Sequence, residues 1–302
     1  MMKKIITPVI TVLDSNEKPD YEGNKKVIDF LINGGVDGIL VLGSAGEFPN
    51  LSLEERIDFM KFYAEYVNGR VELFAGTGCV SYRETLKLSV EALKLGLTPM
   101  VIGPYYFGID QEKLFIYYDR LAKEAGGDIY LYSYPPRTGH SLEPQTIGNL
   151  VRNNPNIKGI KESISEPNHT NLICRAVEGC DFTVYSGFDD QFLSNVANNN
   201  GGGCIGALSI IVPELWSDLV LTYNNRDYEK AMRLFHFIQK LMPIYSMDTN
   251  CSLIMKKLLV HRGVEIDDRA VFPFNQISTE ILSKAEKLVD SVLEEYYNLY
   301  KK

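Results

Sequence analysis

The chain has 302 residues, of which 45% are hydrophobic and 23% charged, and its formal net charge is −8. This composition is typical of a globular protein with one large domain, and the acidic balance argues against nucleic acid or an anionic membrane as the main partner. The five cysteines and four histidines are scattered without the spacing of a disulfide framework or a metal site. We therefore expect a cytoplasmic protein without a bound metal. The apolar start is interrupted by Pro8 and is too short for a signal peptide or a membrane span.

Apolar runs bounded by turn residues alternate with helical patterns along most of the chain. Strands are predicted at 5–12, 38–42, 71–75, 99–102, 129–132, within 156–163, at 183–185 and at 203–207. Helices are predicted at about 24–33, 52–68, 81–95, 111–125, from 144, and at 168–177 and 189–197. Ser52 is expected to cap the second of these helices, because carboxylates follow it in the first turn.

Eight strand–helix units within residues 1–225 predict a (β/α)8 TIM barrel. A doubly wound open sheet is the alternative. We favour the barrel because the alternation continues without a break that would mark a second domain. Residues 226–302 contain only helical patterns, at 228–242, 252–261 and 278–299. They are interpreted as a C-terminal helical extension of the same domain.

The stretch 156–163 reads as a buried parallel strand that ends in a charged group. Side chains alternate along a strand, so Lys161 shares its side with Ile157 and Gly159, whereas Lys158, Ile160 and Glu162 lie on the other side. Lysines are mostly exposed. A lysine at this strand end is therefore either the outer partner of an ion pair or an amine held for chemistry.

Active sites of such barrels lie at the carboxyl ends of the strands. The residues at those ends include a lysine, a serine in a glycine-rich turn, tyrosines and an arginine, together with small or apolar residues. They are Ser44, Ala45, Tyr105, Tyr106, Tyr132, Arg137, Lys161, Gly187 and Ile205. Taken alone, each has a simpler interpretation as a core aromatic, a surface side chain or an ordinary turn. Their joint placement favours catalysis.

The chemistry that suits this set is covalent catalysis by an amine. Desolvation in an apolar barrel disfavours an ammonium ion, and the neutral amine is the form that attacks a ketone. The protonated imine that results withdraws electrons and turns the adjacent methyl group into an enamine nucleophile. Hydroxyl groups can relay protons, and the backbone N–H groups of Gly43 to Gly46 can bind the carboxylate of a 2-keto acid.

Over essentially its whole length the sequence resembles the dihydrodipicolinate synthase and N-acetylneuraminate lyase family of pyruvate-dependent lyases. The segments that carry the resemblance are Gly43-Ser44-Ala45-Gly46-Glu47, Gly76-Thr77-Gly78, Pro104-Tyr105-Tyr106, Tyr132 with Arg137-Thr138-Gly139, and Gly159-Ile160-Lys161-Glu162. The resemblance implies a (β/α)8 barrel with a helical tail, usually a homotetramer. It implies small-molecule substrates, pyruvate and an aldehyde, and no cofactor beyond the covalent imine with the keto acid.

The resemblance also implies roles for individual residues. Lys161 is the Schiff-base lysine, Tyr132 the proton-transferring phenol and Ser44 the relay hydroxyl. Tyr106 matches a tyrosine that a neighbouring subunit contributes in the synthases. The positions that match the pyruvate-carboxylate site and its lining are Ser44, Ala45, Gly187 and Ile205.

Departures from the family pattern bear on which aldehyde is the second substrate. The synthases usually carry two consecutive threonines where this chain has Ser44-Ala45, so one hydroxyl group is missing. Gly43 to Phe48 and Gly187-Phe188-Asp189-Asp190 look more like the 2-keto-3-deoxygluconate aldolase branch. Against this, Arg137 sits where the synthases place the arginine that holds the carboxylate of aspartate semialdehyde. We favour a dihydrodipicolinate-synthase-like enzyme, with the sugar-acid aldolase as the alternative.

Two further classes stay open from the sequence. One is a barrel that binds pyruvate as a sensor without turning it over, although the lysine and tyrosine set argues against it. The other is a phosphate-binding barrel, which would need a glycine-rich loop after its seventh and eighth strands. The run Gly201-Gly202-Gly203 is predicted to precede the eighth strand instead.

Overall fold

The computed structural model describes residues 2–249 and 251–300. Its strands close into a barrel in sequence order, and every neighbouring pair is parallel, including the first with the eighth. The predicted (β/α)8 barrel is therefore confirmed, and the open sheet is excluded. The strands are β1 (Lys4–Pro8), β2 (Gly38–Val41), β3 (Glu72–Gly76), β4 (Thr98–Ile102), β5 (Ile129–Ser133), β6 (Ile157–Glu162), β7 (Thr183–Ser186) and β8 (Gly201–Cys204).

Helices surround the barrel and continue beyond it. Those that follow the strands in turn are α1 (Tyr21–Asn33), α2 (Leu53–Val67), α3 (Tyr82–Lys94), α4 (Gln111–Ala125), α5 (Pro135–Thr138), α6 (Pro144–Asn153), α7 (Pro167–Ala176), α8 (Phe192–Val196) and α9 (Pro213–Asn224). The C-terminal ones are α10 (Tyr228–Leu241), α11 (Cys251–His261) and α12 (Thr279–Tyr300). Ser52 caps α2 as expected, in a reciprocal capping box with Glu55.

The eighth strand lies earlier in the sequence than the prediction. The three glycines that were expected to precede it form most of the strand itself. A Cβ atom on Gly201 would lie 1.9 Å from the Asn195 carbonyl oxygen, and one on Gly203 would lie 2.0 Å from the Lys4 carbonyl oxygen. Neighbouring backbone therefore leaves no room for a side chain, and glycine is a requirement of packing rather than the sign of a loop.

In β6, the strand that contains Lys161, the expected alternation of side chains between the two faces holds only after the second residue. The pairing register between β5 and β6 shifts at its start, so that Ile129 faces Ile157 and Tyr130 faces Gly159. Ile157 consequently joins Ile160 in the apolar cluster that packs β4 to β7 against α4, α6 and α7. Ile157 therefore does not share the interior side with Lys161, contrary to the prediction.

A second and larger apolar cluster extends from the barrel strands to the C-terminal helices. Helix α10 packs on α9 and α12, and α11 reaches back to contact the turn that follows β2. The division of the chain at residue 225 stays a prediction. None of the described helices combines the length and apolar character needed to cross a membrane.

The crowding around β8 predicts different stability losses for two glycine-to-alanine substitutions, one within this strand and one outside it. Gly203 has a φ of 127° and is crowded by the Lys4 backbone, whereas Gly96 has a φ of 78° and nothing within 4 Å of its Cβ position. Gly96→Ala should therefore cost only the left-handed backbone term, about 1–2 kcal/mol. Gly203→Ala adds overpacking of about 1–3 kcal/mol. Urea titrations that give equal losses for the two variants would contradict the packing role of this strand.

Candidate active site

The carboxyl ends of the strands enclose a small cavity of about 100 Å³, which we call the inner chamber. Its lining combines residues from the strand ends with residues from the C-terminal helices. They are Pro8, Ser44, Ala45, Tyr132, Tyr134, Arg137, Lys161, Ser163, Gly187, Phe188, Ile205, Ala207, Tyr245, Cys251 and Ser252. Of the nine strand-end residues singled out from the sequence, seven line this chamber, and Tyr105 and Tyr106 do not.

Lys161 lies near the end of β6 and is 5% exposed. It pairs in register with Tyr132 of β5, which is equally buried, and its Nζ lies 4.8 Å from the centroid of the Tyr132 ring. Among residues 2–249 and 251–300, no carboxylate lies within 4 Å of this amine. Buried lysines are almost always paired, so an unpaired one that faces a cavity is a candidate for chemistry.

The turn after β2 forms one wall of the inner chamber. Ser44–Gly46 is a short 3₁₀ turn that begins after the extended Gly43 and ends at Glu47. It is held from the barrel side, where the Thr11 hydroxyl donates a 2.7 Å hydrogen bond to the Gly46 carbonyl. The first N–H groups of a helical turn have no partner within the turn. The geometry therefore leaves donors that an anionic group could use.

Gly187 and Ile205 line the inner chamber after β7 and β8. A Cβ atom on Gly187 would lie 2.0 Å from the Ser163 hydroxyl oxygen and 2.8 Å from the Glu162 carbonyl oxygen, so only glycine fits there. The Ile205 N–H donates a 2.8 Å hydrogen bond to the Ser186 carbonyl and continues the β7–β8 pairing past the end of β8. Both residues line the chamber, although Ile205 follows the eighth strand instead of lying within it as predicted.

Several lining residues were missed by reading strand ends alone. Tyr134 and Ser163 follow Tyr132 and Lys161 at a spacing of two, and this alternation could have identified them. The residues from beyond the barrel were not identifiable in this way, because no local pattern shows that the C-terminal helices cover the barrel mouth. They are Tyr245, Cys251 and Ser252.

A larger cavity of about 420 Å³, the outer chamber, adjoins the inner one and shares Ser44, Arg137 and Ser252 with it. The rest of its lining is Glu47, Phe48, Pro49, Asn50, Ile102, Tyr105, Thr249 and Phe274. The Arg137 side chain is exposed, and no carboxylate of the described residues forms an ion pair with it. A guanidinium that interacts with the Tyr134 hydroxyl but has no ion-pair partner among the described residues thus lies at the junction of the two chambers.

Tyr106 is the predicted residue that this chain does not bring to its own chamber. It is 85% exposed and stacks edge-to-face with Phe107, which is 70% exposed. Its φ of 84° lies in the left-handed region, which is uncommon for a tyrosine. Tyr106 therefore lines neither the inner nor the outer chamber of its own chain.

A buried carboxyl group supports the wall behind the inner chamber. Asp189 is fully buried and accepts a short hydrogen bond from the Tyr245 hydroxyl, which in turn accepts a 2.8 Å hydrogen bond from the Ala207 N–H. Burial raises the pKa of Asp189 to about 7, against the opposing effects of the Tyr245 hydrogen bond and of the Lys161 charge. Among the described residues, no three or more His, Cys, Asp or Glu side chains are grouped so that they could hold a metal ion.

Comparisons with known proteins agree with this geometry. The sequence profile of the dihydrodipicolinate synthetase family matches residues 1–292. The chain is 32% identical over 272 residues to the putative 2-dehydro-3-deoxy-D-gluconate aldolase YagE of Escherichia coli K12, covering 89% of this chain and 90% of YagE. It is 30% identical over 297 residues to the 4-hydroxy-tetrahydrodipicolinate synthase of Hydrogenobaculum sp. Y04AAS1, covering 98% and 99% of the two chains.

The comparison with solved structures agrees with these sequence matches. The crystal structure of YagE in complex with pyruvate superposes with a TM-score of 0.92 at 30% identity, over 97% of this chain and 99% of YagE. The fold, the site and these relatives together define a pyruvate-dependent carbon–carbon lyase. The chain belongs to the dihydrodipicolinate synthetase family, as its sequence motifs indicate.

The Asp189 carboxyl group should make stability depend on pH. Its pKa in the folded protein, about 7, lies above the ordinary value of 3.8. The folded state therefore binds the proton more tightly, and this contribution is complete below about pH 4 and is lost as the pH rises to about 7. Relative to Asp189→Asn, the parent should lose up to roughly 4 kcal/mol of unfolding free energy across that range. Denaturant titrations of both proteins at several pH values measure this difference in unfolding free energy. If the unfolding free energies of the two proteins show the same pH dependence, the raised pKa of Asp189 is refuted.

Proposed function

We propose that this protein condenses pyruvate with aspartate semialdehyde through a covalent imine on Lys161, in the manner of a 4-hydroxy-tetrahydrodipicolinate synthase. The observation that carries the proposal is the Arg137 guanidinium between the inner and outer chambers, which no described carboxylate neutralises. The unpaired Lys161 amine supplies the covalent step, and Arg137 distinguishes this reaction from others that the same amine could catalyse.

The covalent step follows from the chemistry of an amine and a ketone. The neutral Lys161 amine attacks C2 of pyruvate, and loss of water leaves a protonated imine. Removal of a proton from the methyl carbon gives an enamine, which then attacks the aldehyde carbon of the second substrate while the aldehyde oxygen takes up a proton and becomes a hydroxyl group. Hydrolysis or displacement of the imine returns the amine, so atoms and charges balance without an oxidant or a cofactor.

The neighbouring residues suit the other tasks in this sequence. The Tyr132 phenol, whose ring the Lys161 amine faces at 4.8 Å, is the proposed proton donor and acceptor, with Ser44 as the relay hydroxyl. The turn at Ser44-Ala45 supports binding of the pyruvate carboxylate, and Gly187 and Ile205 line the same site. A chamber of about 100 Å³ suits a small acid such as pyruvate.

Arg137 is proposed to bind the carboxylate of the aldehyde. A guanidinium group holds a carboxylate with two parallel hydrogen bonds, and such charged hydrogen bonds contribute about 1.5–3 kcal/mol. An aldehyde that entered the outer chamber would place its carboxylate beside Arg137 and its carbonyl carbon toward the enamine. An uncharged aldehyde would offer this guanidinium no carboxylate.

A sugar-acid aldolase is the second candidate, and a separate observation favours it. Ala45 provides no hydroxyl group in the inner chamber, while Asn50, Thr249 and Ser252 present polar groups to the outer chamber that suit a polyhydroxylated chain. The similarity to YagE supports the same reading. In this reaction Lys161 would form its imine with a 2-keto-3-deoxy acid and release pyruvate.

We further propose a cytoplasmic homotetramer. The exposed Tyr106 and Phe107 pair lies outside both chambers of its own chain, which suits a contact with a neighbouring subunit. Tyr106 would then complete the partner's site. The proposed chemistry requires no metal and no bound cofactor, because the imine with the substrate keto acid supplies the electron withdrawal.

The role of Tyr132 predicts a separation of imine formation from turnover. Tyr132→Phe keeps the ring beside Lys161 but removes the proton-transferring hydroxyl group, and such groups contribute roughly 10²–10⁴-fold to rate. We expect kcat to fall within that range while pyruvate is still trapped by borohydride. Tyr130→Phe, on the same strand but outside the chamber lining, is the matched control and should keep near-parent kcat. Equal loss in both variants would refute the assigned role.

The role of Arg137 predicts which aldehyde is used. Arg137→Ala should lower kcat/KM for aspartate semialdehyde by roughly 10- to 150-fold, since 1.4 kcal/mol is a factor of ten. Arg137→Lys should recover only part of this, because an ammonium cannot form the paired hydrogen bonds. Trapping of pyruvate should survive in both variants. The assay is run beside cleavage of 2-keto-3-deoxygluconate.

Two outcomes would decide against the synthase. If Arg137→Ala traps pyruvate normally and uses aspartate semialdehyde at the parent rate, the reason for preferring an anionic aldehyde is gone. If the parent protein shows no synthase activity but cleaves 2-keto-3-deoxygluconate, the aldolase is the correct function.

A further inference from the structure

Besides Lys161, a second lysine is buried near the chambers, and this one is paired. Lys256 of α11 is completely buried, and its Nζ lies 2.5 Å from the carboxylate of Glu47, whose side chain is 5% exposed. The same Nζ donates a 2.8 Å hydrogen bond to the Arg269 carbonyl, and the Val271 N–H lies 3.3 Å from the other Glu47 oxygen. The pair joins residues that are 209 positions apart in sequence.

Glu47 directly follows the turn that forms the wall of the inner chamber. It ends the Ser44–Gly46 turn in the left-handed conformation, with a φ of 56° and a ψ of 29°, and the next 3₁₀ turn, Phe48–Asn50, begins after it. Left-handed backbone is unfavourable for a residue with a side chain, and it persists where surrounding contacts determine it. The contacts of the Glu47 carboxylate with Lys256 and Val271 provide this constraint.

Helix α11 touches the site in two places. Cys251 and Ser252, in its first turn, line the inner chamber, and Ser252 also lines the outer one. Lys256 lies about one turn further along the same helix. The helix also packs directly against the Ser44–Gly46 turn. One rigid element therefore supplies part of the chamber wall and anchors the turn proposed to hold the carboxylate.

We propose that Glu47 and Lys256 are positioning residues for pyruvate binding: their buried ion pair fixes the Ser44–Ala45 turn against α11 so that its N–H groups face the inner chamber. This inference rests on the proposed function, because it assigns the turn to the pyruvate carboxylate. The ion pair itself touches neither Lys161 nor Tyr132.

The energetics of a buried pair make this role measurable. Burial lowers the pKa of Lys256, and the nearby Glu47 carboxylate opposes that effect. Removal of one partner leaves the other as an uncompensated buried charge, whereas removal of both does not. The single variants Lys256→Met and Glu47→Gln therefore disturb the turn more than the double variant does.

The test measures the pyruvate concentration that gives half-maximal borohydride-trapped adduct, which does not depend on the identity of the aldehyde. In Lys256→Met and in Glu47→Gln this concentration should rise at least tenfold, while the adduct yield at saturating pyruvate stays within twofold of the parent. In the double variant the increase should be smaller than the product of the single increases, because the two residues act as one contact.

Arg262→Met is the matched control for loss of stability alone. Arg262 follows α11 and holds its end through a 2.7 Å ion pair with Glu214 and a 3.1 Å hydrogen bond to the Ile211 carbonyl, outside both chambers. This variant should lower Tm and leave the half-saturating pyruvate concentration within twofold of the parent.

Each outcome decides the proposal. If Arg262→Met raises the half-saturating concentration as much as Lys256→Met, or if none of the folded pair variants raises it, the positioning role is refuted. If the single variants do not fold, the double variant carries the test, and an unchanged half-saturating concentration there refutes the proposal. A parent protein that forms no adduct at saturating pyruvate would instead refute the proposed function, and the positioning role with it.

Discussion

The burial of one amine that has no ion-pair partner among the described residues is the constraint on which the proposed site depends. Two lysines of the described chain lie almost fully buried near the barrel mouth, and they differ in partner. Lys256 meets a carboxylate at 2.5 Å, as a buried charge requires. Lys161 faces the ring of Tyr132 and a cavity instead. In the proposed reaction the missing negative charge arrives with the substrate, because the carboxylate of pyruvate is drawn in beside the protonated imine.

The C-terminal helices are part of the site rather than an appendage to the barrel. Cys251 and Ser252 of α11 line the inner chamber, and Tyr245, just before it, connects Asp189 to the Ala207 backbone. Barrel strands alone would leave the carboxyl ends open to water. Because the C-terminal helices cover the barrel mouth, they keep the dielectric low around the Lys161 amine and fix the Ser44–Ala45 turn opposite it.

The sequence predicts the barrel and most strand-end residues, because both follow from local patterns. Alternation of strands and helices identifies the fold, and the rule that sites lie at carboxyl ends selects Lys161, Tyr132 and Arg137. The eighth strand was misplaced because a run of three glycines reads as a loop, while in the structure it is required by the close approach of the Lys4 and Asn195 backbones. No local pattern shows such an approach.

Long-range partners are the other part that could not be read from the sequence. Glu47 belongs to a recognised motif, yet nothing near it indicates a partner 209 positions away on α11. Asp189 likewise lies in a motif that differs between branches of the family, but its link to Tyr245 appears only in the folded chain. Such contacts depend on how the helices return to the barrel mouth, which tertiary packing decides.

The location of the covalent adduct tests the account most directly. The protein is incubated with pyruvate and borohydride, digested, and analysed by peptide mass spectrometry, beside Lys161→Arg as the control. The account predicts one reduced adduct, on the peptide that contains Lys161, and none in the control. An adduct on another lysine, Lys256 included, or no adduct at saturating pyruvate, would contradict it.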